Sequence, residues 1–257
     1  MKKVVAIIIS LVALNVSAQN HQAFEVGEWF RFRIHYGMFN ASFATLEVKE
    51  TTLRNQPVYH VVGKGKSTGL LHLFFKVDDN YETFMDKKSG APLRFIRQID
   101  EGGHTRDYLT DFDHDSNTAH VFNRKRNTRN IYTVPDNVHD MLSSFYYLRN
   151  NLDISALDRG EMFDIKMLLD DEVHDFKLKF LGREVIKTKM GNIAALKFQP
   201  YVLAGRVFEK KESLTIWVSD DKNRIPLKIQ ADLAVGSLDA DIDAFKGLKY
   251  PLNIIME

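Results

Sequence analysis

Three aspartates alternate in Asp111-Phe112-Asp113-His114-Asp115-Ser116-Asn117, a spacing that could offer several hard oxygens to calcium. A helix-flanked calcium loop also needs Gly at its sixth place and Glu at its twelfth. Here Ser116 and Phe122 stand in those places. The run reads instead as a polar hairpin turn, in which Asp and Asn bond their own backbone. Adjacent acids at Asp78-Asp79, Asp170-Asp171 and Asp220-Asp221 could suggest glycosidase carboxylates. Neighbours in a strand point to opposite faces, so solvated turns or strand edges are the better reading of all three.

Nine histidines are scattered, and none forms H-E-x-x-H or a close pair on one face. His35 and His60 fall in separate expected strands that could face each other. The chain has no Cys, so thiolate zinc sites, disulfides and a Cys nucleophile are all excluded. No G-x-S-x-G elbow occurs, and Ser143-Ser144 lies on a helix rather than on a strand-to-helix turn. Gly63-Lys64-Gly65-Lys66-Ser67 lacks the spacing of a phosphate-binding loop. No catalytic residue, cofactor or metal ligand follows from these patterns.

The elements that would position any site are mostly strands. In Trp29 to Tyr36, Phe30, Phe32, Ile34 and Tyr36 alternate with Trp29, Arg31, Arg33 and His35, the period of a half-buried strand. Ser42 to Glu50 and Val58 to Gly65 continue an antiparallel meander. Strand signals recur at 80–85, 93–99, 106–112 and 119–123, and the second half adds 162–169, 173–181, 183–188, 193–200, 212–218, 225–234 and 238–245. Thr68 to Val77 is a first candidate helix or a mouth-covering segment. His139 to Leu152 is the best helix, with Asp136 or Asn137 as its cap. Met141, Leu142, Phe145, Tyr146, Leu148 and Leu152 recur there at helical spacing. The basic run Arg124 to Arg129 reads as a solvated loop or edge strand, with contact to an anionic surface as the lesser reading. About twelve strands and one or two helices describe a mainly β protein: an antiparallel curved sheet or open barrel with one or two covering helices.

Met1-Lys2-Lys3, the apolar run Val4 to Val16 and the small residues of Val16-Ser17-Ala18 form the three parts of a secretory signal peptide. We expect residues 1–18 to be removed and 19–257 to form a single β-rich domain in the periplasm or otherwise outside the cytoplasm. No Cys follows the apolar run, which argues against a lipid-anchored export signal. The run is short for a bilayer span, which takes about 20 residues, and no second run approaches that length. A formal net charge of +1 argues against general nucleic-acid binding. The 18 Phe can build a core, which argues against disorder.

A set of short phrases, in order, resembles the DUF3108 family of exported bacterial proteins of unknown function. They are Gly27-Glu28, Gly63-Lys64-Gly65 with Thr68-Gly69, Asp79-x-Tyr81-Glu82, Pro92-Leu93-Arg94-Phe95-x-Arg97 and Glu101-Gly102-Gly103. Asp140-Met-Leu-Ser143-Ser-Phe-Tyr146-Tyr-Leu-Arg149 is the most distinctive. Gly182-Arg183-Glu184, Lys187-Thr188, Gly191, Trp217-Val-Ser219-Asp220-Asp221 and Arg224-x-Pro226-Leu227 follow. The likeness runs from about Glu25 to about Ala240. It implies a curved, barrel-like antiparallel fold, broadly similar to periplasmic carriers that hold lipoprotein acyl chains in an open β barrel. It supplies no catalytic residues.

Within those phrases, Glu82, Arg97, Glu101, Asp140, Arg149 and Asp220 are charges set among apolar or turn residues. Their plainer role is ion pairing that fixes the helix on the sheet. Arg149 shares a helix face with Leu142 and Tyr146, and Glu82, Glu101 and Asp220 are its candidate partners. The functional alternative makes Arg97, Glu101, Asp140, Arg149 and Trp217 binding residues at a cavity mouth. Phe30, Phe32, Phe43, Phe74, Phe75 and Phe95 are candidate walls. The first functional reading is an exported, noncatalytic envelope protein that binds or carries an apolar or lipid-like ligand. The alternative is an assembly factor for an envelope protein or polysaccharide partner, using exposed aromatics such as Trp29. A glycan or lipid hydrolase would need converging carboxylates or a nucleophile with His, and the sequence shows neither.

Overall fold

A computed structural model describes residues 22–68, 72, 76–203, 214–232 and 236–255. The expected export signal lies outside these residues. So do 69–71 and 73–75 of the first candidate helix, with Phe74 and Phe75.

The chain forms two antiparallel meanders. The first runs through β1 (Trp29–Tyr36), β2 (Phe39–Leu53), β3 (Gln56–Ser67), β4 (Asp78–Asp86), β5 (Pro92–Glu101), β6 (His104–Asp113), β7 (Thr118–Asn123) and β8 (Thr128–Thr133). Helix α1 (Met141–Asn151) follows. The second meander is β9 (Met162–Leu169), β10 (Glu172–Thr188), β11 (Gly191–Leu203), β12 (Leu214–Ser219), β13 (Pro226–Asp232) and β14 (Ser237–Lys246). A short β15 (Ile254–Ile255) pairs with β11. β1 pairs with β14, so the two meanders join into one antiparallel sheet whose edge strands are β8 and β9.

The sheet is therefore not closed by strand pairing, and the middle of the chain lies at the gap. The segment between β8 and α1 bonds the edge of β9. The His139 backbone N–H donates to the Lys166 carbonyl, and the Leu168 N–H donates to the His139 carbonyl, each at 2.8 Å. That extended bridge explains why α1 starts later than Asp136 or Asn137 would have it. Asp140 is the cap instead. Its carboxylate accepts from the backbone N–H groups of Leu142 and Ser143 at 2.8 Å, and the Ser143 hydroxyl accepts from the Asp140 N–H at 2.9 Å.

No residue from Met141 to Asn150 is exposed, and Ser143, Ser144, Tyr146 and Arg149 are buried, so α1 is largely covered by the sheet. Tyr146 packs with Phe24, Val48, Val61 and Met85 of the first meander. Leu148 and Leu152 pack with Leu178, Phe180, Leu196 and Phe198 of the second. Met141 and Leu142 pack against Phe95, Tyr108 and Leu168. The helix thus ties both meanders together through apolar burial, at roughly 1.5–3 kcal/mol for each large side chain.

Two predicted strands, 173–181 and 183–188, form one. β10 runs through both and bulges where Gly182, at φ +138°, lets it bend without breaking its pairing to β11. The basic run resolves into a β7–β8 turn and the start of edge strand β8. The Asp111 to Asn117 run is a hairpin turn, in which Asp113 accepts from the N–H groups of Asp115 and Ser116.

Candidate functional site

Of the five candidate binding residues, Arg97 and Glu101 meet in one ionic cluster around Asp79 and Tyr81, whereas Asp140, Arg149 and Trp217 have separate surroundings. Arg149 projects from α1 into the core and is 2% exposed, while its partner Glu28 is 0% exposed. The guanidinium donates to the two Glu28 carboxylate oxygens at 2.6 and 2.7 Å, and to the Asn223 carbonyl from Nε and Nη2 at 3.0 and 2.8 Å. Burial raises the Glu28 carboxyl above its usual range, and the adjoining Arg149 opposes that rise. The expected partners are elsewhere. Glu82 accepts from Asn80 and bonds His60, Glu101 sits near Asp79, and Asp220 accepts from Arg183. The reason is position along α1. Arg149 lies in its last turn, toward the start of β1 and the β12–β13 turn, whereas Glu101 ends β5 at the opposite rim. Asn223 is fixed there in turn, donating to the Tyr250 carbonyl and accepting from the Tyr250 N–H at 2.9 Å.

Asp140 is fully buried, and its other oxygen accepts from the Thr83 hydroxyl at 2.6 Å. Burial pushes its carboxyl up to about 6 despite these donors. This residue caps α1 and ties it to β4, and all of its visible contacts are spent on that task.

Arg97 donates to both oxygens of Asp170 at 2.8 and 2.7 Å, and Arg106 approaches Asp170 at 3.5 Å. The contact joins β5 and β6 to the β9–β10 turn, across the open side of the sheet. Glu101 stands beside Asp79, whose carboxyl is pushed up to about 6 by burial first and by the Glu101 charge second. Asp79 and Asp170 are thus packed into ionic clusters rather than merely solvated. His35 bonds Asp241 and His60 stacks on Phe84, so the two do not face each other. Phe30, Phe32 and Phe95 are core, and Trp29 is half-buried beneath Lys246.

Trp217 has different surroundings. Its indole N–H donates to Glu184, and Lys197 and Lys228 lie over its ring at 5.1 and 5.7 Å. It helps to line an open cleft of about 640 Å³ bounded by β1, β12, β13, β14 and the end of the β10–β11 hairpin. Ile186 adds apolar surface, the core residues Leu227 and Ile242 lie beneath it at 1% and 2% exposure, and Arg33, Lys187, Lys189, Lys228, Asp241 and Asp243 add charge. Lys189 donates to Asp243 at 2.7 Å, holding the hairpin end against β14. Lys228 pairs with Asp239 at 2.9 Å. Arg33 and Lys187 have no carboxylate partner among the described residues.

The profile of DUF3108, described as a protein of unknown function, matches residues 31–243. The chain belongs to the DUF3108 family. None of the curated proteins matches it. Among solved structures, the β-barrel-like DUF1849 protein of Brucella abortus is 9% identical with a TM-score of 0.57, over 88% of the DUF3108 chain and 99% of its own. The two share the fold. A candidate lipoprotein of Parabacteroides distasonis is 14% identical with a TM-score of 0.36, over 88% and 99% of the two chains. A candidate exported protein with a YmcC-like fold from Bacteroides fragilis is 9% identical with a TM-score of 0.32, over 87% and 97%.

Sequence reasoning reached Trp217 but not Arg33, Lys187 or the cleft itself. Arg33 read only as the outward half of an alternating strand. The signal that could have found the cleft is the length of β10 and β11, which carries their shared end beyond β12 to β14.

Proposed function

We propose that this DUF3108 chain is an exported, noncatalytic binding or carrier protein of the cell envelope, and that its ligand is an amphiphile held in the Trp217 cleft. The observation that carries this reading is an apolar wall beside an excess of positive charge, with Arg33, Lys187, Lys189 and Lys228 lining the cleft against Asp241 and Asp243. Ile186 and Trp217 offer the wall above the core residues Leu227 and Ile242, and Arg33 and Lys187 form no ion pair among the described residues, with Asp241 facing Arg33 across β1 and β14. A volume of about 640 Å³ suits a small molecule or part of a lipid. The apolar part of the ligand lies against the indole, and its anionic group meets the two cations. The export pattern at residues 1–18 supports an envelope location. The interior differs from that of an empty carrier barrel, because α1 occupies it, and this supports the lateral cleft as the ligand's place.

The test is gentle purification from the native envelope, followed by mass spectrometry of bound lipid. Parent protein should carry an anionic amphiphile, and Arg33→Ala with Lys187→Ala should release it. Adding lysophosphatidylglycerol to the stripped protein should change Trp217 emission, with Trp217→Phe as the control. Equal binding by parent and double variant, or no bound amphiphile and no emission change, overturns the proposal.

A further inference from the structure

Asp241 lies among the cations of the cleft, yet its ion partner is not one of them. In the sheet register it stands between Arg33 on β1 and Lys228 on β13. Lys228 pairs with Asp239 instead, and Arg33 forms no ion pair among the described residues. The Asp241 carboxylate is held by His35, whose Nε2 lies 2.6 Å from Oδ2. The Nδ1 of the same ring lies 2.8 Å from the Gly37 carbonyl in the β1–β2 turn. A carbonyl and an ionised carboxylate only accept hydrogen bonds, and a neutral imidazole has a single N–H. Only an imidazolium donates to both oxygens at once.

The charged groups around this pair come from three strands. On β1, Arg31 is matched by Asp243 and Arg33 is not matched. On β14, Asp239 is the register partner of His35, and it accepts from Ser237 and pairs with Lys228 of β13. Asp232, at the end of β13, accepts from Gln230. β2 presents Asn40 and Phe43, which carry no charge. The His35 and Asp241 side chains are 16% and 34% exposed, so the ring can exchange its proton with solvent. With His35 charged, the charge of Asp241 is answered and Arg33 is left for an incoming anion. With His35 neutral, Arg33 and Lys228 are the register neighbours left to answer it. An anion in the cleft then competes with Asp241 for the same cations.

We infer, on the cleft reading given above, that His35 and Asp241 form a pH-sensitive switch that strengthens the hold on an anionic ligand as pH falls and weakens it as pH rises. Histidine is the side chain suited to this task, because its charge changes between about pH 5 and pH 8. The sign follows from the charges. Taking up a proton at His35 adds a cation beside the cleft and occupies its one competing carboxylate without an ion pair to Lys or Arg. Such a switch lets a carrier load its ligand in an acidic medium and release it in a neutral or alkaline one.

The test titrates lysophosphatidylglycerol into the stripped exported chain at about pH 5.5 and about pH 8, with affinity read from the midpoint of the Trp217 emission change. The phosphodiester of this lipid keeps its charge across that range, so a change in affinity belongs to the protein. The parent should bind roughly two- to fivefold more tightly at the lower pH, the effect of one partly exposed charge. His35→Gln should bind at both pH values with the affinity that the parent shows at the higher one. Asp241→Asn should bind at the higher pH at least as tightly as the parent does at the lower. As a second readout, calorimetry in two buffers of different ionisation heat should show proton uptake when the parent binds near neutral pH, and less uptake for His35→Gln. Binding by the parent that ignores pH, an equal pH dependence in His35→Gln, or weaker binding by Asp241→Asn overturns the inference and leaves the cleft reading standing. No binding at either pH overturns the cleft reading and the inference with it.

Discussion

Glu28 and Arg149 form a two-bond fork in the core, although 121 positions separate them in the chain. The pair links the entry to β1 with the last turn of α1, and Arg149 also holds the Asn223 carbonyl of the β12–β13 turn. Phe24, Phe30, Phe145 and Tyr146 surround the guanidinium with ring centroids between 5.2 and 5.6 Å away. One cation thus joins both meanders and the helix between them.

Removing one partner leaves the other charge buried, which costs about 3–5 kcal/mol. We expect Arg149→Ala and Glu28→Ala each to lower stability by that amount in urea denaturation. Arg149→Lys should recover only part, because Lys lacks the planar fork. Arg149→Met combined with Glu28→Leu should lose less than the sum of the two alanine variants. An Arg149→Ala protein that unfolds like the parent would refute the structural role.

His139 and Asp140 should show opposite pH slopes. Burial pushes the Asp140 carboxyl up to about 6 from its ordinary 3.8, so its contribution is full below that ordinary value and is lost as pH rises through 6. Burial, with a smaller push from His114, lowers the His139 imidazole to about 4 from 6.5. Its contribution is full above 6.5 and is lost as pH falls through 4. Asp140→Asn can still cap the helix, and relative to the parent it should gain stability as pH rises from 4 to 6. His139→Gln should gain relative to the parent as pH falls from 6.5 to 4. Denaturant midpoints across this range are the measurement, and parallel profiles for all three proteins would contradict both assignments.

Much of the strand content was legible because burial repeats every second residue. Phe30 and Phe32 are core while Arg31 and Arg33 point away from it, as their alternation requires. The Arg149 face was legible for the same reason, at helical period. Its partner was not. Nothing local separates Glu28 from Glu82, Glu101 or Asp220, and the choice is made by where the end of α1 lands. The cleft was illegible on similar grounds. It exists because β10 bends at Gly182 and the hairpin end reaches Asp243, and both facts belong to the tertiary structure.

The Asp111 to Asn117 turn should not respond to calcium. Asp113 already accepts from the backbone of Asp115 and Ser116, and Asp111 is held by Arg54 and Arg94 at 2.8 to 3.0 Å. Hydrogen bonds from Ser116 hold the Asp113 carboxyl below its usual range. Calcium would have to displace these donors without the remaining ligands of a calcium loop. Thermal midpoints with chelator and with millimolar calcium should coincide, and a large calcium-dependent rise would reveal a site.

Arg97 and Asp170 should control the open edge. β9 has only β10 as a strand neighbour, apart from the short bridge to His139, so its free side depends on side-chain contacts. Arg97 supplies one, reaching from β5 to the β9–β10 turn with side chains 15% and 12% exposed. That burial places the pair between a surface contact of about 0–1 kcal/mol and a buried one of about 3–5 kcal/mol. Asp170→Asn should therefore cost about 1–3 kcal/mol, since it also leaves Arg97 and Arg106 close together without their shared anion. The loss should be local. Hydrogen exchange at Lys166 to Asp170 should quicken while that of β2 and β3 stays as in the parent, because their pairing lies on the far side of the sheet. Uniformly faster exchange throughout the sheet would show that the pair supports the whole fold rather than its edge.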